Sequence, residues 1–169
     1  MDAIEAICTR RSIRKYTNQT VAEDVVKELL EAAMFAPSAG NEQPWHFVVI
    51  RDRQTLDAIP EFHPYAAMLR QVSVAIVVCG EPALEKYSGR WMLDCSAATQ
   101  NILLAAHARG LGTVWVGIYP ESARMDSMRK LLGLPEKILP MSLVPIGYAA
   151  EPARQPERFN ADRVHLDKW

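Results

Sequence analysis

The 169-residue sequence has no charge excess, no long apolar run and no paired-cysteine motif, and each absence closes off a class of function. Lys and Arg number 19 against 20 Asp and Glu, a net charge of −1. Nucleic-acid and membrane-surface binders carry a basic excess, so neither role is supported. No stretch approaches the roughly 20 apolar residues that span a bilayer. Met1-Asp2-Ala3-Ile4-Glu5 lacks the basic and apolar regions of an export signal, and a cytoplasmic protein is expected. Cys8, Cys79 and Cys95 are odd in number, with unrelated spacings and no CxxC pair. They read as buried thiols. His46, His63, His107 and His165 form no metal-ligand pattern, so no metal is expected. No nucleophile motif, repeat or low-complexity region is visible.

What is present begins with Thr9-Arg10-Arg11-Ser12-Ile13-Arg14-Lys15-Tyr16, three arginines, a lysine and a serine in one short segment. Arginine's planar fork grips a phosphate with two parallel hydrogen bonds, and a serine hydroxyl adds a third donor. If the segment is extended, Arg10, Ser12 and Arg14 share one face and Arg11 and Lys15 the other. The segment alone reads as an anion cradle or as a solvated basic turn.

Around it the chain reads as one domain of alternating helices and strands, 49% of it hydrophobic. A short helix over 2–8 carries Ile4 and Ile7 inward. Thr20-Val21-Ala22-Glu23 fits a capping box for a helix to about Met34, with Val25, Val26, Leu29, Ala32 and Ala33 as its buried stripe. Strands are expected over 45–51, 72–79, 112–119 and 141–148. Short helices over 53–59 and 64–71 are separated by Pro60 and Pro64. The longest helix spans 91–109 and ends at Gly110, and a further one spans 121–132 before Gly133. Small residues along the 91–109 helix allow close approach of a neighbouring helix, in the core or at a subunit contact, and the sequence favours the core. Residues 151–169 are rich in proline and charge and should extend over a surface.

A second unusual stretch is Ala36-Pro37-Ser38-Ala39-Gly40-Asn41-Glu42-Gln43-Pro44-Trp45. Small residues let a planar ligand approach the backbone, and Gly40 permits positive φ. Ser38, Asn41 and Gln43 offer donors and acceptors for the edge of a heterocycle. An ordinary turn is the alternative reading.

Together, Arg-Arg-Ser-Ile-Arg-Lys-Tyr and Ala-Pro-Ser-Ala-Gly-Asn-Glu-Gln-Pro-Trp, with Arg109-Gly110-Leu111-Gly112-Thr113 downstream, resemble the FMN-dependent nitroreductase family. The resemblance covers residues 2–150 and, more weakly, the tail. It implies an α+β fold with a central mixed, mainly antiparallel sheet flanked by helices. It also implies an intertwined homodimer with FMN at the interface and 151–169 as an arm over the partner. Arg10, Arg11 and Ser12 match positions holding the phosphate and ribityl chain, and Arg14 matches a cation beside the flavin pyrimidine. Pro37, Ser38, Ala39, Asn41 and Gln43 match the loop supplied by the partner. Trp115, Val116 and Gly117 match a segment lying over the isoalloxazine and donating to N5, and Arg158 resembles a C-terminal phosphate ligand. A cation near N1/O2 stabilises reduced flavin, which agrees with the place of Arg14.

The activity implied is hydride transfer from NADH or NADPH through flavin N5 to a nitroaromatic, quinone or related acceptor, by a ping-pong cycle. The cofactor carries the chemistry, with no catalytic side chain. An FMN reservoir or redox sensor is the alternative, as is a specialised flavin reaction such as dehalogenation. The interval Glu81–Arg90 is short for the family, which leaves a more open pocket and disfavours lid-dependent chemistries.

Overall fold

β2 (Val74–Gly80) is buried at every position, and the other elements are layered on its two faces. Side chains alternate across a strand, so Val74, Ile76 and Val78 enter one core while Ala75, Val77 and Cys79 enter the other. A strand covered on both sides needs an apolar residue at each step, which is what its sequence supplies. β1 (Trp45–Ile50) and β5 (Leu139–Gly147) flank β2, both antiparallel to it. β3 (Gly112–Thr113) and β4 (Val116–Gly117) also pair antiparallel with β5. The structure, a computed structural model, describes residues 1–154 and 156–169. Among them the sheet has five strands, ordered β1-β2-β5-β3 with β4 also on β5. Its only parallel element there is the isolated bridge between Ser12 and Thr113.

α2 (Glu23–Met34) and α4 (Trp91–Ala108) cover one face. α3 (Arg53–Phe62) and α5 (Ser122–Leu132) cover the other. α4 has 18 residues and runs about 27 Å along the sheet. Cys95, Ala98, Ile102 and Ala106 lie at helical spacing and are fully buried, so Ala98, Ala106 and the buried Thr99 serve the core, whereas Ser96, Ala97 and Ala105 are half-buried and Ala108 is exposed. Asn101 Nδ2 donates to the Ala32 carbonyl at 2.9 Å, and Arg109 pairs with Glu28 at 2.7 Å, joining α4 to α2. No helix is long and apolar enough to cross a membrane among the described residues.

Several sequence expectations give way to tertiary context. α1 (Ala3–Thr9) buries Ala6 rather than Ile4 and Ile7, which are 70% and 55% exposed. The capping box does not form: Ala22 is the N-cap and makes no side-chain cap bond. Instead Val21 is buried, its N–H on Ser73 Oγ at 3.1 Å and its carbonyl on Arg51, which holds the chain extended until Glu23. Pro60 lies inside α3, where a proline near the last turn removes one hydrogen bond without ending the helix. Residues 67–71 form a 3-10 turn. The strand expected over 112–119 is broken between β3 and β4, where Val114 turns into the core and Trp115 turns out. Cys8 is exposed; Cys79 and Cys95 are buried, and burial pushes both thiols up to about 12.

Candidate functional site

Segment 10–16 leaves α1 and runs beside β3. The Ile13 N–H donates to the Thr113 carbonyl at 2.9 Å, Ser12 bridges Thr113, and Tyr16 bridges Ala149. Gly112 makes this approach possible, since a Cβ there would fall 2.8 Å from Ile13 Cγ2. The Tyr16 hydroxyl donates to the Ile13 carbonyl at 2.6 Å, and burial raises its pKa well above the ordinary phenol value.

Arg10, Arg11 and Arg158 line one cleft of about 430 Å³, with Ile7, Cys8 and Phe159 among its walls and no carboxylate. Among the described residues, Arg10 Nε is buried without a hydrogen-bond partner. Burial foremost, then the charges of Arg158 and Arg11, hold its guanidinium below its usual pKa. Arg11 is partly engaged: Nη1 donates to the carbonyls of Cys8 (2.9 Å) and Arg10, and Nε to that of Arg154 at 3.3 Å. It closes the end of α1 while lining the cleft. His107 lies behind, its Nε2 at 2.7 Å from Thr9 Oγ1. That hydroxyl donates to the Glu5 carbonyl at 2.6 Å, so the imidazole N–H is the donor to it. Burial, Arg10 and Arg11 lower the His107 pKa. Three convergent cations with an orphaned donor are what a phosphate would complete.

Ser12, Arg14 and Lys15 line a separate cleft of about 240 Å³ with Glu151, Pro152 and Ala153. Lys15 is paired with Glu151 at 2.9 Å, whereas Arg14 is exposed and makes no side-chain hydrogen bond among the described residues. The alternate-face expectation therefore fails. Arg10 groups with Arg11, and Ser12 with Arg14 and Lys15, because Arg10 caps α1 and only isolated bridges fix the segment.

Trp115, Val116 and Gly117 follow directly from the strand beside Ser12. Trp115 is 36% exposed and Val116 is buried. The Gly117 carbonyl accepts from His63 Nε2 at 2.8 Å and from Arg124 Nη1 at 3.3 Å. The Arg124 guanidinium lies 5.5 Å from the centre of the Tyr65 ring. Neither His63 nor Arg124 stood out in the sequence.

The loop with Pro37, Ser38, Ala39, Asn41 and Gln43 is built by its own polar groups. Gly40, Asn41 and Gln43 have φ of 54°, 55° and 47°. Ser38 Oγ accepts from the Gln43 N–H at 3.1 Å, and Gln43 Nε2 donates to Asn41 Oδ1 at 2.9 Å. Behind the loop, the Ala39 N–H donates to Asp94 Oδ1 at 3.1 Å. Glu42 Oε2 accepts from the Lys86 N–H at 2.7 Å, and Lys86 Nζ donates to the Gly40 carbonyl at 2.7 Å. The signal for these supports was an acid at a stripe position of α4 and another inside the loop.

Loop and cradle stand at opposite ends of the sheet. The loop joins β1 where the Glu81 N–H donates to the Pro44 carbonyl, beside the start of α4. The cradle sits by His107, near its end. Asp94 and His107 are about 20 Å apart along the helix at 1.5 Å per residue. One chain thus does not bring the two motifs together.

A strand-centred α+β fold, an arginine cradle and a Pro-Ser loop at separate ends define a class of protein, and known sequences agree on which. The model for the Nitroreductase family matches residues 7–87 and 61–148. A protein of Methanothermobacter thermautotrophicus, provisionally named NADH dehydrogenase/NAD(P)H nitroreductase, is 52% identical over 169 residues, covering 100% of this chain and 88% of that one. A crystal structure from Parabacteroides distasonis with the same provisional name superposes with a TM-score of 0.95 at 40% identity, covering 98% of each chain. A provisionally named nitroreductase from Desulfovibrio desulfuricans, solved in complex with FMN, gives 0.86 at 30% identity, covering 100% of this chain and 99% of that one. The chain belongs to the nitroreductase family.

Proposed function

We propose that the protein is an NAD(P)H-dependent FMN oxidoreductase, and that residues 1–169 form one FMN-binding unit working as a homodimer. The observation that carries this reading is the cleft of Arg10, Arg11 and Arg158, with its buried orphan donor and no carboxylate. Its donor set fits a phosphate monoester, as FMN presents. Arg10 and Arg158 would hold the phosphate, with Arg11 positioned by the end of α1. Ser12 and Arg14, in the adjoining cleft, would meet the ribityl chain and the pyrimidine edge. Trp115, Val116 and Gly117 would line the ring, their backbone steadied from behind by His63 and Arg124.

Bound FMN supplies two-electron chemistry, accepting hydride from NADH or NADPH and reducing a nitroaromatic, quinone or related acceptor in a ping-pong cycle. The chain's own task is to bind, orient and tune. Arg14, exposed and unpaired among the described residues, is available to favour negative charge on the pyrimidine. Because loop and cradle lie at opposite ends of one chain, Pro37, Ser38, Ala39, Asn41 and Gln43 would reach the flavin from a second copy. Phe35 (88% exposed) and Phe159 (87%) offer apolar surface for that contact. The tail from 151 would lie over the partner. The three free thiols suit a cytoplasmic setting.

Purified protein is expected to take up FMN stoichiometrically, turn yellow, and oxidise NADH or NADPH with nitrofurazone or menadione as acceptor. Protein that stays colourless in excess FMN would overturn the reading.

A further inference from the structure

Glu42 and Asp94 are both buried, at 8% and 6% exposure, and lie against each other behind the Pro37–Pro44 loop. Asp94 Oδ1 and Glu42 Oε2 accept backbone N–H groups, from Ala39 in the first case and from Lys86 and Tyr87 in the second. The other two oxygens, Asp94 Oδ2 and Glu42 Oε1, are buried and have no donor among the described residues. Two carboxylates facing each other without a donor would repel, and two orphaned acceptors would each carry a desolvation cost. One proton removes both problems.

We infer that Asp94 and Glu42 share a single proton, Asp94 Oδ2–H donating to Glu42 Oε1, and that this pair is the positioning device that seats the flavin-facing loop on α4. The inference rests on the proposed function for the loop's role, but not for the pair itself. The titratable and charged groups around the pair are few. From α4 there are Asp94 itself and the buried Cys95 thiol, whose pKa the charge of Asp94 helps to raise. From segment 81–90 come Glu85, which repels, Lys86, whose ammonium is turned to the Gly40 carbonyl, and Tyr87, whose N–H reaches Glu42 Oε2 and whose ring packs beside Gly40. Glu85 itself is occupied by the N–H groups of Gly89, Arg90 and Trp91 at the start of α4. Among the described residues, no basic side chain is bonded to either member of the pair. Burial foremost raises the Asp94 pKa; the Ala39 N–H opposes that rise, and the neighbouring Glu42 and Glu85 add to it.

The sign follows from linkage. An acid with a raised pKa in the folded state gives stability that is present at low pH and lost as pH rises through that raised value. Loop seating should therefore weaken as pH rises above the ordinary carboxylate range.

The test compares wild type with Asp94→Asn, Glu42→Gln and Asp94→Ala. Asparagine or glutamine supplies the shared hydrogen permanently. The expected result is a protonated-carboxyl infrared band in the wild-type apoprotein, absent from Asp94→Asn and Glu42→Gln. Asp94→Asn should melt higher than wild type once pH is well above the ordinary carboxylate range, the gap closing as pH falls back into that range. FMN affinity should be near wild type in both amide variants and about tenfold weaker in Asp94→Ala, where Glu42 keeps an unpaired buried oxygen. Absence of the band, or an Asp94→Asn melting curve parallel to wild type at every pH, would overturn the pairing. Failure of every form to bind FMN would instead count against the proposed function, leaving the band and the melting curves to decide the pair.

Discussion

A guanidinium with a buried, unpartnered Nε is a cost that an anion would relieve. Arg10 should thus trade stability for affinity. Arg10→Ala is expected to weaken FMN binding by about 1.5–3 kcal/mol, the range for a charge-assisted hydrogen bond, without lowering the melting temperature of the apoprotein; calorimetric titration and thermal melts read the two quantities. Arg14 makes no side-chain hydrogen bond or ion pair among the described residues, so its removal should act mainly on the cofactor. Arg14→Ala is expected to lower the flavin potential in a spectroelectrochemical titration, with a smaller change in affinity. His107 gives a third case. Its pKa is depressed by burial and by Arg10 and Arg11, so the folded state prefers the neutral ring. The stability it contributes is complete above the ordinary histidine value of about 6.5 and is lost as pH falls below it. Wild type should lose more melting temperature than His107→Gln on acidification through that window.

The Pro-Ser loop shows how an element is fixed from outside its own sequence. Gly40 has φ +54°, and a Cβ there would come 2.7 Å from Tyr87 Cε2. Gly40→Val should lower stability by about 1–2 kcal/mol from the left-handed backbone alone, more with the contact, as a shift in denaturant midpoint would register. The sheet and the long helices were legible in the sequence because periodicity follows burial: β2 is apolar throughout, and α4 places Cys95, Ala98, Ile102 and Ala106 on one stripe. What was illegible depends on partners distant in sequence. Ile4 and Ile7 have an apolar spacing, yet α1 packs through Ala6. Thr20 and Glu23 have the letters of a capping box, but Ser73 and Arg51 claim Val21 first. The cradle's arginines stood out as residue types. Their division between two clefts did not, because it depends on where α1 ends. Glu42 and Asp94 become a pair only when the loop folds onto α4.

At the scale of the whole molecule, the two motifs read from the sequence lie at opposite ends of a sheet that α4 spans. Large apolar side chains are left in solvent on α1, at the end of α2 and along the tail: Ile4, Ile7, Phe35, Phe159, Leu166 and Trp169. Both facts suit a second copy. Deleting residues 151–169 removes Arg158 together with the tail's apolar groups, so the shortened chain should sediment as a weaker dimer and bind FMN less tightly.

The most direct measurement of the central claim is complementation between two damaged chains. One carries Arg10→Ala and Arg158→Ala in the cradle, and the other carries Asn41→Ala and Gln43→Ala in the loop. Neither homodimer should retain flavin on a desalting column. In a hybrid dimer, however, one of the two sites combines an intact cradle with an intact loop. The account predicts that co-expressed hybrids hold one FMN per dimer, measured by absorbance against protein; hybrids as empty as both parents would contradict it.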